Sequence, residues 1–228
     1  MKIATAQSSA CDPRQAMAEI IESLALNAIG QPHFVALHFG AGSEATLLAN
    51  EARSAFPTAA LHGGSSCFGI MTQAGVNISS GAGVGALAIW DAEGSYGTAS
   101  ADLGADARAA ARQVTEAALS ASGRSGEIPD LVWLTVAPGR EEQVIEGIRS
   151  VVGPGVLIVG GSAADNDVSG QWAQFGPLQT HADGVVVSVL FPSVATTSAY
   201  ESGYAPTGES GLATRVSGRR LLEIDRQP

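Results

Sequence analysis

The chain is short of positive charge. Its 12 Lys and Arg stand against 22 Asp and Glu, a formal net charge of −10, so phosphate backbones and anionic membrane surfaces are repelled and nucleic acid is excluded as the natural partner. Long apolar runs are also missing. The longest, Gly184 to Phe191, has the length of a strand, and Met1–Ala10 has neither the charged nor the apolar region of a signal peptide. The sequence therefore predicts a cytoplasmic protein without a membrane partner. Cysteine is scarce: Cys11 and Cys67 are the only two, and without an export signal free thiols are expected rather than a disulfide. No segment is biased enough to be disordered, and 228 residues at 45% hydrophobic suffice for a full core.

What is present is a repeat. Residues 32–65 and 129–162 align without a gap at an offset of 97 residues. Pro32, Val35, Leu37, Gly42, Glu44, Pro57, Gly63, Gly64 and Ser65 recur as Pro129, Val132, Leu134, Gly139, Glu141, Pro154, Gly160, Gly161 and Ser162. Each copy reads apolar strand, short helix, apolar strand, Gly-Gly-Ser. Weaker matches extend it: Thr5-Ala6 with Thr98-Ala99, and Gly83-Val84 through Trp90 with Gly184-Val185 through Phe191. The expectation is an internally duplicated, pseudo-twofold α/β domain over 1–195, with repeats at about 1–91 and 95–191. Strands alternating with helices argue for parallel pairing, while consecutive strands near 68–72, 75–79 and 83–91 add antiparallel pairs, so the sheets are mixed and flanked by helices.

Asp12-Pro13 with Gln15 is a helix start, and Met17, Ile20, Ile21, Leu24 and Ala28 share a face. Helices are predicted over 13–29, 43–55 (capped by Ser43), 105–122 and 140–152, and central strands over 34–39 and 131–136. After about 196 the pattern changes to a strand at 199–204 and a hairpin of 212–216 with 220–224 around Gly218.

Four features, in this order, resemble the FIST family of bacterial signal-transduction input domains. They are the Pro-initiated strand and helix at 32–56, the glycine turn at 63–65, the run Val159 to Asn166 followed by Asp183-Gly184-Val185-Val186-Val187, and the tail Gly203-Tyr204-Ala205-Pro206 with Gly218 to Asp225. The first three match the family's N-terminal domain, and the tail, 196–228, looks like the start of its C-terminal domain. The resemblance implies a sensory domain that binds a small ligand such as an amino acid and signals to partners such as a histidine kinase or diguanylate cyclase. Some members bind haem and respond to nitric oxide. The family's first glycine turn usually continues to a Gly-Glu pair, whereas this chain has Cys67-Phe68-Gly69-Ile70, so no role of that glutamate transfers.

Several residues are candidates for a site. Gly63, Gly64, Ser65 and Ser66, with Gly160, Gly161 and Ser162, could either offer backbone N–H groups to a carboxylate or simply make tight turns. His62 stands where the repeat has Val159: a pocket, metal or haem contact explains the exchange, and so does a strand-end histidine bonded to a carbonyl. His38 falls in a strand, His33 and His181 in loops. Asp165 to Gly170 imitates half a calcium loop, but the bidentate acid is missing, since Gly176 occupies its place; Asp165 or Asn166 is left to bind an ammonium or hydroxyl. Cys67 with His62 as base would make a nucleophile, but no third group orients them, and Phe68, Ile70 and Met71 suggest that Cys67 enters a strand as a small core residue. The sequence thus predicts ligand binding without catalysis or a resident cofactor.

Overall fold

The apolar runs become two mixed sheets. The structure, a computed structural model that describes residues 1–77, 82–199 and 204–228, begins with β1 (Lys2–Ser8), α1 (Pro13–Ser23), α2 (Leu26–Ile29), β2 (Phe34–Gly40), α3 (Ala45–Ala55), β3 (Ala60–Ser66), β4 (Ile70–Thr72), β5 (Gly75–Asn77) and β6 (Val84–Trp90). A second series follows: β7 (Ser95–Asp102), α4 (Ala107–Ala121), β8 (Leu131–Val136), α5 (Glu141–Val152), β9 (Leu157–Ser162), β10 (Gln174–Phe175), β11 (Thr180–His181) and β12 (Gly184–Phe191). These elements make one compact unit, Met1–Thr196. A second unit, Thr197–Pro228, holds the hairpin of β13 (Ala213–Ser217) and β14 (Arg220–Ile224).

The first sheet has the order β1-β6-β2-β3-β10-β11, the second β7-β12-β8-β9. In both, the crossover through a helix joins parallel neighbours, β2 with β3 and β8 with β9, and the long late strand runs antiparallel between its neighbours. Registers agree as well. Val35 lies opposite Leu61 and Ala88, as Val132 lies opposite Ile158 and Val189. Thr5 faces Leu87, and Thr98 faces Ser188. Two four-strand blocks therefore share strand order, direction and pairing.

Each block carries its helices on its outer face. Met17, Ile20, Leu48 and Phe56 bury against Leu37 and Leu61 in the first, and Val114, Val144 and Ile148 against Val132, Leu134 and Val187 in the second. The inner faces meet through Phe34, Ala36, Ile89 and Leu190, with Phe34 5.9 Å from the ring of Trp133 and 6.1 Å from that of Tyr96. Because β12 has helices on one side and the other sheet on the other, all of its residues are buried, which is why it reads as an unbroken apolar run.

The helix expected over 13–29 stops at Ser23, and Ala25 turns left-handed (φ 53) before α2. Leu24 and Leu26 are both buried, and residues two apart lie on opposite sides of a continuous helix, so the chain must turn to bury both. Ser43 is not a cap: its hydroxyl donates to the Ala82 carbonyl, and α3 begins after Glu44. The strand near 68–72 shortens to β4 because Phe68 is left-handed (φ 56). Residues 78–79 of another expected strand, and 200–203 of the one at 199–204, lie outside the described residues.

Candidate functional site

The two Gly-Gly-Ser segments are strand, not turn. Gly63, Gly64 and Ser65 lie inside β3, parallel to β2 on one side and antiparallel to β10 on the other. Their backbone groups belong to the sheet ladders, which removes the anion-nest geometry. Glycine is needed for close approach instead: a Cβ on Gly63 would come within 2.3 Å of the Phe175 ring, and one on Gly64 within 2.5 Å of Thr135 Cγ2. Gly160, Gly161 and Ser162 close β9, which among the described residues pairs with β8 alone and lies at the edge of its sheet. Gly160 has φ +134, and the Ser162 hydroxyl donates to Glu141 at 2.6 Å.

His62 is fully buried between the sheets. Its Nδ1 lies 2.8 Å from Ser188 Oγ and its Nε2 2.8 Å from Thr135 Oγ1, while Ser188 Oγ is 2.6 Å from Thr98 Oγ1. Burial, and then the neighbouring His38, hold its pKa well below 6.5, so the ring is neutral. One nitrogen must then donate and the other accept, which gives the chain of hydroxyls a single direction. The sequence left His62 as a pocket, metal or haem contact, a base, or a strand histidine bonded to a carbonyl; the structure makes it a bonded core group, with hydroxyls in place of the carbonyl. Its exchange for Val159 reflects the hydroxyls facing it. His181, expected in a loop, is buried in β11 with Nδ1 2.9 Å from Asp102 and Nε2 3.0 Å from Ser100 Oγ.

Ser65, Ser66, Asp165 and Asn166 do come together. Ser65 Oγ donates to the Ala164 carbonyl and accepts from the Ala173 amide, Ser66 Oγ donates to the Gly69 carbonyl, and Asn166 Oδ1 accepts from the Phe68 amide at 2.8 Å. The Asp165 carboxylate accepts from the amides of Val168, Gly170 and Gln171 at 2.7, 2.6 and 2.9 Å. Burial would raise its pKa, but these donors outweigh it and lower it. Asp165 thus closes its own loop instead of awaiting a cation or ammonium. Cys67 is exposed rather than a core residue, since the left-handed Phe68 turns the chain outward, and it is not hydrogen-bonded to His62, both of whose ring nitrogens are engaged.

A concave surface lies elsewhere. A cleft of about 540 Å³ follows the free edge of β7, where Tyr96, Gly97, Thr98, Ala99 and Ser100 all line it. Both faces of the strand contribute, as expected when a cleft opens on a strand's edge. Ala117 and Ala121 of α4 form one wall, and Thr58 to Ala60 with Pro177 to Gln179 the other. No lining residue carries a charge. Thr98 and Ser100 are each backed by a buried histidine, His62 through Ser188 and His181 directly.

The model of the FIST N domain family matches residues 33–227. The chain belongs to the FIST family. FIST domains are sensory domains of signal transduction, and the match begins just before β2 and runs through the hairpin unit. No curated protein matches this FIST chain. Among solved structures it is similar to the cyanuric acid hydrolase of A. caulinodans, at 12% identity and TM-score 0.42 over 83% of this chain and 66% of that one. Another cyanuric acid hydrolase, described as an evolutionary innovation by structural concatenation, matches at 10% identity and TM-score 0.40 over 82% and 67%. The FIST chain spans about two thirds of the length of each.

Haem, which the family resemblance implies for some FIST domains, does not fit His62, since both ring nitrogens are bonded and the ring does not line the β7 cleft. Among the described residues no cluster of His, Cys, Asp and Glu could hold a metal, and no helix is long and apolar enough to cross a membrane. Ser100, Thr135 and Ser188 were not singled out from the sequence, and Thr98 was named there only as the repeat counterpart of Thr5. Their signal is a lone hydroxyl in a buried strand, clearest for Ser188 within Val185 to Phe191, because a buried hydroxyl requires a partner.

Proposed function

We propose that this FIST domain is a non-catalytic input module whose small-molecule ligand occupies the cleft along β7. The observation that carries it is the cleft itself, where two hydroxyls tied to buried histidines meet the edge of β7 that no strand covers among the described residues. An uncharged lining favours a ligand with an apolar body, and an edge strand offers donors and acceptors together. An amino acid with an apolar side chain suits both: the side chain against Ala117, Ala121 and Leu178, the zwitterionic end at the wet rim along β7. Occupancy would pass to signalling partners, such as a histidine kinase or diguanylate cyclase, through the sheet that β7 edges.

Thermal-shift screening of apolar amino acids and small neutral amides tests it. A ligand at 100 times its Kd adds about 2.7 kcal/mol of stability. Ala117→Phe, on an exposed wall of the cleft, should abolish the shift without lowering the unliganded Tm. A shift that survives Ala117→Phe, or one seen only with haemin, would sink the assignment.

A further inference from the structure

The two blocks end alike but are finished differently. On the first, β10 lies antiparallel on the outer edge of β3, and Phe175 fills the space above Gly63 on the helix side, 5.8 Å from the ring of Phe39. Arg53, in the last turn of α3, secures it. Its guanidinium lies 5.9 Å from the Phe175 ring and donates to the Gly176 carbonyl at 3.1 and 3.2 Å.

At the same place on the second block there is a socket. In register Gly160 stands where the first block has Gly63, and Val136 where it has Phe39, but with φ +134 a Cβ on Gly160 would meet the Leu134 carbonyl rather than the cavity. A cavity of about 190 Å³, room for one aromatic ring, has Leu134, Val136, Ile145, Ile158, Gly160 and Arg149 in its lining, together with the polar Glu141 and Ser162. Arg149 occupies the last turn of α5, and its guanidinium makes no hydrogen bond or ion pair among the described residues. The outer edge of β9 carries no strand among them either, so its backbone groups on that side are open to a partner.

We infer that β9 is a docking edge for an extended segment of a partner protein, entering antiparallel with a phenylalanine-type ring in the Gly160 socket and the next backbone carbonyl on Arg149. The filled counterpart in the same molecule specifies this chemistry: a strand addition in which main-chain bonds give affinity and one aromatic anchor gives specificity. This surface shares no lining residue with the β7 cleft.

The probe is a peptide with the sequence of residues 171–177, QWAQFGP, titrated into the whole chain and followed by amide NMR shifts. Saturable shifts centred on Leu157–Ser162 are expected, with affinity falling about tenfold or more for the Phe175→Ala peptide and for the Arg149→Glu protein, whose exposed site leaves folding intact. Arg149→Gln should weaken binding too, without introducing a charge. Shifts centred elsewhere, equal binding of the Phe175→Ala peptide, or none at millimolar peptide would overturn the docking edge. A concentration-dependent dimer dispersed by Arg149→Glu would seat a second copy on β9 and overturn the choice of a partner segment.

Discussion

The tripeptide Gly-Gly-Ser lies in the C-terminal half of both β3 and β9, with the same pairing to the strand before it, and the two copies live in opposite surroundings. In β3 it is almost wholly buried, between β2 and β10 and against Thr135; in β9 it is exposed at a sheet edge. Identical local chemistry thus carries a packing role in one block and an accessible surface in the other. Coverage decides, and coverage comes from a two-residue strand contributed by the other half of the chain.

The comparison can be broken most forcefully at His62 and Val159. His62→Ala removes a buried ring, takes the imidazole from Thr135 and leaves Ser188 with Thr98 alone, so we expect a loss of about 3–5 kcal/mol in urea unfolding. Val159→Ala, at the half-buried counterpart, should lose about 1 kcal/mol or less. Equal losses would show that the polar layer between the sheets adds nothing. Next come the glycines. Gly63→Ala drives a methyl into Phe175 and should destabilise by about 1–3 kcal/mol, while Gly161→Ala, which meets nothing within 4 Å, should stay within about 0.5 kcal/mol. A costly Gly161→Ala would mean that β9 is covered after all.

The smallest effect concerns Asp91, just past β6, whose counterpart after β12 is Pro192. Burial would raise its pKa, but the hydroxyl and amide of Ser193 and the Tyr96 hydroxyl hold it at about 2, below the ordinary 3.8. Because the folded state binds this proton less readily than the unfolded one, the stabilisation is full above pH of about 4 and is lost as the pH falls toward 2. Asp91→Asn should cost about 1 kcal/mol at neutral pH and flatten that acid limb. An unchanged melting profile between pH 2 and 5 would place the acid sensitivity on other carboxylates.

Much of this architecture was legible before any coordinates. The apolar periods located both crossover helices and the strands β2, β6, β8 and β12, because amphipathic faces answer directly to burial, whereas β1 and β7 showed only through the repeat match of Thr5-Ala6 with Thr98-Ala99. Other elements were beyond local reading. Glycine marks a turn and a crowded strand with the same letter, and the crowding at Gly63 comes from Phe175, which no window around residue 63 contains. Strand β10 is too short to show a period. The aromatic and aliphatic residues after Cys67 read as core, yet Phe68 and Met71 are exposed, since a left-handed residue redirects the chain. The cleft was missed for the opposite reason: its lining is mostly alanine, glycine and hydroxyl, without a charge or a motif to draw notice.

Pairing β3 with β10 also sets a schedule for synthesis. The segment that covers the β3 edge is Gln174–Phe175, some 110 residues downstream of Gly63 and Gly64. On a ribosome adding roughly 5–20 residues per second, that edge is made roughly 5–20 s before its cover. For that interval a strand containing His62, Gly63 and Gly64 has free backbone on one side, and neighbouring nascent chains on a polysome carry the same open edge. Conditions that slow elongation between residues 66 and 174 should therefore favour aggregation of the newborn chain, even though the finished fold keeps this strand buried.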